Sequence, residues 1–215
     1  MSEQHSHYRK GTAKQEEILE RALELIGTHG FDDTTLRSIA RAVHLSQSGV
    51  LHYFSSMDDL YIHILEARDR SQMQLFSAFI DHRQSEEPYD GVILGIPAEK
   101  LNTAILIQHF IALNGSNHET PGLMELYARM QIEAANPNHP AHAYFLRRTA
   151  MMHRIVEPLI KAANDRGVLA PAWDPCAATS ALIAVADGLQ LQWLTDHSVD
   201  IAFCLTQFFD QLGHQ

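Results

Sequence analysis

Apolar residues recur along this chain at three- and four-residue intervals, the period of amphipathic helices, and no run alternates as a strand does. Ile18, Leu19, Ala22, Leu25 and Ile26 mark a first helix, opened by a capping box of Thr12 and Gln15 and closed at His29-Gly30. Thr34 or Thr35 can cap a short second helix that turns Leu36, Ile39, Ala40 and Val43 inward. Ser46 can cap a third, held inward by Val50, Leu51 and Phe54. Ser56 with Asp59 opens a long fourth helix whose Leu60, Ile64, Leu75, Phe76 and Phe79 keep the period to about Asp81. Beyond a polar loop, Pro97, Pro121 and Pro140 each suit a first helical turn, which predicts helices near 97–114, 121–135 and 140–166, the last kinked at Pro158. Asp174-Pro175 starts another, to about Thr195, and Ser198 caps one to about Leu212. The predicted fold is all-α, with about nine helices and no internal repeat.

The segment Thr35 to Phe54, TLRSIARAVHLSQSGVLHYF, places two short amphipathic helices around a tight turn, the sequence form of a helix-turn-helix. In that motif the first helix crosses the DNA backbone and the second sets its N-terminal side chains in the major groove. Ser46, Gln47, Ser48 and Gly49 leave that end small and polar. Gln47 can offer donor and acceptor together to an adenine edge, Ser48 can bond either partner type, and His52 and Tyr53 face outward in the next turn. Thr35 and Ser56 hydroxyls, with backbone N–H groups at the starts of helices two and four, are candidates to hold phosphates. Thr34, Arg37 and Lys14 complete the candidate DNA-binding set.

From Gly30-Phe31 past Thr34-Thr35, Ile39-Ala40 and Ser46 to Tyr53-Phe54 and Leu60, the chain resembles the TetR family of transcriptional regulators. Asp187 to Leu194, DGLQLQWL, also looks like the penultimate helix of many members. The resemblance implies a homodimer whose last two helices form an intersubunit four-helix bundle, a small-molecule pocket inside each body, and operator DNA as the partner. Three positions depart from the common pattern: His44 at a turn position often taken by glycine, Leu51 where many members carry a tyrosine aimed at DNA, and Met57 where a lysine often meets a phosphate. A left-handed backbone is more tolerable for His than for most residues. A thioether cannot replace a lysine's charge, so a weaker electrostatic share of affinity is expected.

The division that follows is a DNA-binding head over residues 1–56 and a ligand-binding, dimerising body over 57–215. Phe76, Phe79, Ile105, Leu126, Met130, Met151 and Ile155 can line an apolar cavity, with Gln108, His109, Tyr127 and Asp187 to orient an unidentified effector. The alternative for each is an ordinary packed core. On the last two helices, Ala178, Ala181, Leu182, Val185, Gly188, Leu189 and Trp193, then Phe203, Thr206 and Phe209, give apolar faces broader than one partner covers, with small residues for close approach. A two-fold dimer would match a pseudo-palindromic operator.

Composition narrows the field without redirecting it. Hydrophobic residues are 46% and charged residues 20% of 215, the balance of an ordinary globular chain. The net charge of −10 would disfavour nucleic acid if spread evenly, but residues 1–55 carry six Lys/Arg against seven Asp/Glu, a net of −1, and the remainder carries −9. No run reaches a membrane span, the start MSEQHSHYRKG lacks an apolar leader core, and a cytoplasmic protein is expected. Cys176 and Cys204 lie in no metal-ligand spacing, and His139 with His142 lacks a third ligand nearby, so no metal and no cofactor are expected. HExxH, GxSxG, phosphate-loop and GxGxxG motifs are absent, so an enzyme is not expected. The rival reading is a helical small-molecule-binding or catalytic protein whose helix-turn-helix does not meet DNA.

Overall fold

The computed structural model describes residues 2–82, 92–93, 96–97, 103–165 and 174–213. Among them are nine α-helices: α1 Ser2–His29, α2 Leu36–Ala42, α3 Gln47–Val50, α4 Met57–His82, α5 Thr103–Ser116, α6 Pro121–Glu133, α7 Ala141–Asp165, α8 Pro175–Thr195 and α9 Ile201–Gly213. A two-residue antiparallel pair, β1 Val92–Ile93 with β2 Ile96–Pro97, precedes α5. The all-α expectation holds, with three adjusted boundaries. Thr12 does not start α1, which runs through the N-terminal arm because Gly11, at about 1 kcal/mol against alanine, is too weak a breaker. Pro97 lies in β2 and not in a first helical turn, so α5 begins six residues later than predicted. Asp200, not Ser198, caps α9: its Oδ1 accepts the Phe203 N–H at 2.9 Å, while the Ser198 N–H is held by Asp196. The predicted end of α7 at Arg166-Gly167 falls outside the described residues, and Pro158 lies within α7.

The chain forms two compact units: residues 1–70 with 119–144, and residues 71–118 with 145–215. In the first, the apolar stripe predicted for α1 is buried as Ile18, Ala22 and Ile26, against Ile39 and Val43 of α2, Val50 and Phe54 from the α3 region, and Leu60 and Ile64 of α4. Each of the larger side chains among them contributes roughly 1.5–3 kcal/mol relative to exposure. α1 ends as Gly30 turns to φ 85° and its N–H closes on the Ile26 carbonyl at 3.0 Å. α6 then lies so close to this end of α1 that a Cβ on Gly122 would strike the Ile26 carbonyl oxygen and come within 2.9 Å of Gly30 Cα and Phe31 N. Arg129 fastens the same corner, with its guanidinium 5.0 Å from the Phe31 ring centroid and 3.1 Å from Asp32.

The second unit packs α9 on α5 and α8. Ala178, Leu182, Ala186 and Gln190, spaced by four along α8, form its buried stripe. Gln190 is the polar member. Its Oε1 accepts from Asn117 at 3.2 Å, and its Nε2 lies 3.4 Å from Asn114 Oδ1, so a buried amide ladder links the end of α5 and the following 3-10 turn to α8. Among the described residues no helix is long and apolar enough to cross a membrane.

Candidate nucleic-acid interface

The reading segment is built by three local devices. Thr35 and Ser38 form a reciprocal capping box: Ser38 N–H reaches Thr35 Oγ1 at 3.2 Å, and Thr35 N–H reaches Ser38 Oγ at 2.9 Å. His44 takes the left-handed turn at φ 56°, as its position requires, and the Leu45 N–H closes on the Ala40 carbonyl at 2.9 Å. Ser46 caps α3, its Oγ accepting the Gly49 N–H at 3.0 Å, with the Ser48 hydroxyl 3.0 Å away. α3 keeps α-geometry for only four residues before turning.

Ser46, Gln47, Ser48 and His52 stand exposed along one edge, while Val50 and Phe54 hold that edge against the core. Gly49 and Tyr53 are half-buried, the Tyr53 ring meeting His52 edge-on at 5.7 Å. Leu51, expected inward, is 41% exposed at the C-cap of α3, its N–H still bonded to the Gln47 carbonyl at 3.0 Å. Arg37 and Thr35 are exposed on α2 and its cap. From Thr34 to Ser56 the chain carries Arg37, Arg41, His44 and His52 and no acidic residue.

Two candidate contacts turn inward. Thr34 is only 4% exposed and its hydroxyl donates to the Gly30 carbonyl at 2.7 Å, so it fastens the α1–α2 turn and does not face a phosphate. Lys14 Nζ donates to the Val43 carbonyl at 2.9 Å and pairs with Glu17, placing a cation at the C-terminal end of α2, where the helix dipole favours it. Sequence spacing missed this because the partner is a main-chain oxygen 29 residues away. The start of α4 is also filled from within. Ser56 Oγ accepts the Asp59 N–H at 3.0 Å, and the Asp59 carboxylate takes the Ser55 N–H at 2.7 Å. The acidic first turn of Asp58 and Asp59 sets like, repelling charge against a phosphate at that end.

The candidate effector residues divide between the two units. Leu126, Tyr127 and Met130 are buried on α6 in the first, where Arg68 lies 5.9 Å from the Tyr127 ring centroid. Met151, Ile155, His109 and Asp187 are half-buried in the second, and Gln108 there is exposed and not inward-facing. Burial pushes the His109 imidazole below its ordinary value, toward the neutral form. Phe76 and Phe79 lie on α4 and Ile105 on α5, their side chains outside the described residues, as are those of the arm residues Arg9 and Lys10. His139 and His142 serve the α6–α7 turn: His139 Nδ1 accepts the Ala141 N–H at 3.3 Å, and His142 Nδ1 meets the Ala134 carbonyl at 2.8 Å.

Of the candidate dimer residues, Ala178 and Leu182 belong to the chain's own core, since the four-residue stripe turns them inward. Ala181, Val185, Gly188, Leu189, Trp193, Thr206 and Phe209 are half-buried, and Phe203 is 60% exposed. Phe209 meets Phe110 edge-on within the unit, and Trp193 stacks on His197. The α8 face that lies open is Ala177, Ala181, Ala184, Gly188 and Leu191, a three-four spacing in which Leu191 is 48% exposed and no atom lies within 4 Å of a Cβ built on Gly188.

Residues 18–64 match the family model of bacterial regulatory proteins, tetR family. No curated protein matches the chain. Among solved structures, the fold is shared with a TetR transcription regulator from Haloarcula marismortui, 17% identical over 94% of this chain and 97% of that one, at a TM-score of 0.68. It is shared with a transcriptional regulator from Saccharomonospora viridis in complex with choline, 17% identical over 93% and 96%, at 0.68. NalD of Pseudomonas aeruginosa, the secondary repressor of the MexAB-OprM multidrug efflux pump, is 18% identical over 94% and 95%, at 0.60. Residues 18–64 therefore match a tetR-family segment in sequence, on a chain that shares its fold with these regulators.

Proposed function

We propose that the protein is a cytoplasmic homodimeric repressor that binds a pseudo-palindromic operator through residues 1–56 and leaves it when a small molecule occupies the body over 57–215. The observation that carries this reading is the exposed edge Ser46 to His52, held by its own caps in a stretch free of acidic residues. Gln47 and Ser48 read base edges in this scheme. Thr35, Arg37 and Tyr53 position the backbone, and the C-terminal helices join two copies through the open α8 face with Phe203. NalD is named a repressor and the Saccharomonospora regulator holds choline, which supports a ligand-released repressor as the reading of the same fold.

Release is a linkage between two sites. α4 is one continuous helix whose first part belongs to the first compact unit and whose second part belongs to the other. A ligand that prefers a DNA-incompetent arrangement by ~3 kcal/mol lowers operator affinity roughly a hundredfold, and DNA weakens the ligand by the same factor.

The deciding experiment titrates the purified protein against the duplex upstream of its own gene and a scrambled duplex, across a range of salt. Preferred binding of two protomers to the upstream duplex, with affinity falling as salt rises, supports the reading. Equal, weak binding to both duplexes would remove it in favour of a helical ligand-binding protein.

A further inference from the structure

Chain order hides a second constellation that folding assembles within the second unit. His153 and Glu157 stand one turn apart on α7, and Cys176 stands in the first turn of α8. His153 Nδ1 lies 2.5 Å from Glu157 Oε1 and 3.9 Å from Cys176 Sγ, and the three ligand-type atoms all fall within 4.8 Å of one another. The other ring nitrogen, Nε2, faces Ser180 Oγ at 3.4 Å. His153 and Glu157 are half-buried and Cys176 is exposed, so one side of the cluster is open to water.

A single imidazole nitrogen carries at most one proton. Nδ1 therefore cannot donate to both the carboxylate and the sulfur. A small cation with affinity for nitrogen, sulfur and oxygen suits this cluster, because all three groups can offer it lone pairs at once. Around tetrahedral zinc, bonds of ~2.0 Å to nitrogen, ~2.3 Å to sulfur and ~2.0–2.2 Å to oxygen put ligand atoms roughly 3.3–3.7 Å apart. The present separations of 2.5 and 3.9 Å bracket that spacing, within reach of side-chain adjustment on two fixed helices.

We propose that His153, Glu157 and Cys176 bind one zinc-class divalent ion, with water in the fourth position. Binding transfers the thiol proton to solvent and leaves a sulfur–metal bond. The imidazole binds through Nδ1 and carries its proton on Nε2, where Ser180 Oγ accepts it as an outer-sphere partner. The ion would tie the C-terminal half of α7 to the start of α8. This site stands independently of the DNA-reading edge, and its test does not use DNA.

Cobalt(II) added to the reduced, full-length protein is the probe. The expected result is a thiolate-to-cobalt charge-transfer absorption in the near ultraviolet that saturates at one equivalent per chain and is displaced by zinc, with release of a proton. Cys176→Ser should abolish the absorption, His153→Ala should weaken cobalt binding by roughly tenfold or more, and Cys204→Ser should leave both unchanged. Retained circular dichroism in each variant separates loss of the site from loss of the fold, and a zinc-dependent rise in melting temperature seen in the parent and absent in Glu157→Gln gives a second readout. No charge-transfer absorption, its persistence in Cys176→Ser, or its loss in Cys204→Ser would overturn the site; scattered surface histidines bind cobalt without that absorption.

Discussion

Gln47 and Lys14 show how differently two polar residues of one head are used. Gln47 sits exposed immediately after the α3 cap, where an amide can match an adenine edge with donor and acceptor together. Gln47→Ala is expected to cost about 1–3 kcal/mol on operator DNA and far less on a scrambled duplex, measured by anisotropy on both. An equal loss on the two would take Gln47 out of base readout. Lys14 carries the same polar appearance in sequence, yet its ammonium is bonded to the Val43 carbonyl at the end of α2. Lys14→Met keeps the aliphatic stem and should lower head stability by about 1 kcal/mol in urea unfolding, while leaving the salt dependence of DNA binding unchanged. A flatter salt slope with unchanged stability would return Lys14 to the phosphate-contacting set.

Among the helices, α6 is the one whose importance to the first unit exceeds its sequence signal. It is separated from α1 by some 90 residues of chain, yet Gly122 lets it meet the α1 C-terminus at backbone distance, beside the Arg129 clasp on Phe31 and Asp32. Gly122→Ala places a methyl group against main-chain atoms that cannot swing aside, and a loss of about 1–3 kcal/mol is expected from such overpacking. Chemical denaturation followed by a probe in the first unit checks it; an unchanged midpoint would mean the close approach relaxes freely. The pattern of helix starts was legible from Ser46, Ser56 and Asp174, because a cap is a local bond within three residues. The start of α9 is less legible, because Ser198 and Asp200 both suit an N-cap; Asp200 takes the role by accepting the Phe203 N–H, and Ser198 lies in the preceding turn with its N–H on Asp196.

At the scale of the whole molecule, the open α8 face supplies the most direct test of the proposed two-fold complex. Ala177, Ala181, Ala184, Gly188 and Leu191 recur at three-four spacing, which suits close packing of two equivalent helices. Ala184→Glu sets like charges opposite one another across a two-fold seam, so sedimentation should show a shift toward monomer and, with it, loss of operator binding by at least tenfold. A dimer that survives this change would require a different joining surface. Leu191 was absent from the expected interface because the local pattern does not say which half of an apolar helix its own chain will cover.

That boundary between local and assembled information runs through the whole protein. Helix count, the helix-turn-helix, the left-handed turn at His44 and the polar edge beginning at Ser46 follow from bonds and clashes among neighbours in the chain, so they can be read in order along it. The inward turn of Lys14, the amide ladder around Gln190, the Gly122 approach and the meeting of His153, Glu157 and Cys176 each join groups far apart in sequence. Nothing in residue spacing encodes those encounters, because which faces of separate helices come together is settled by packing the core as a whole.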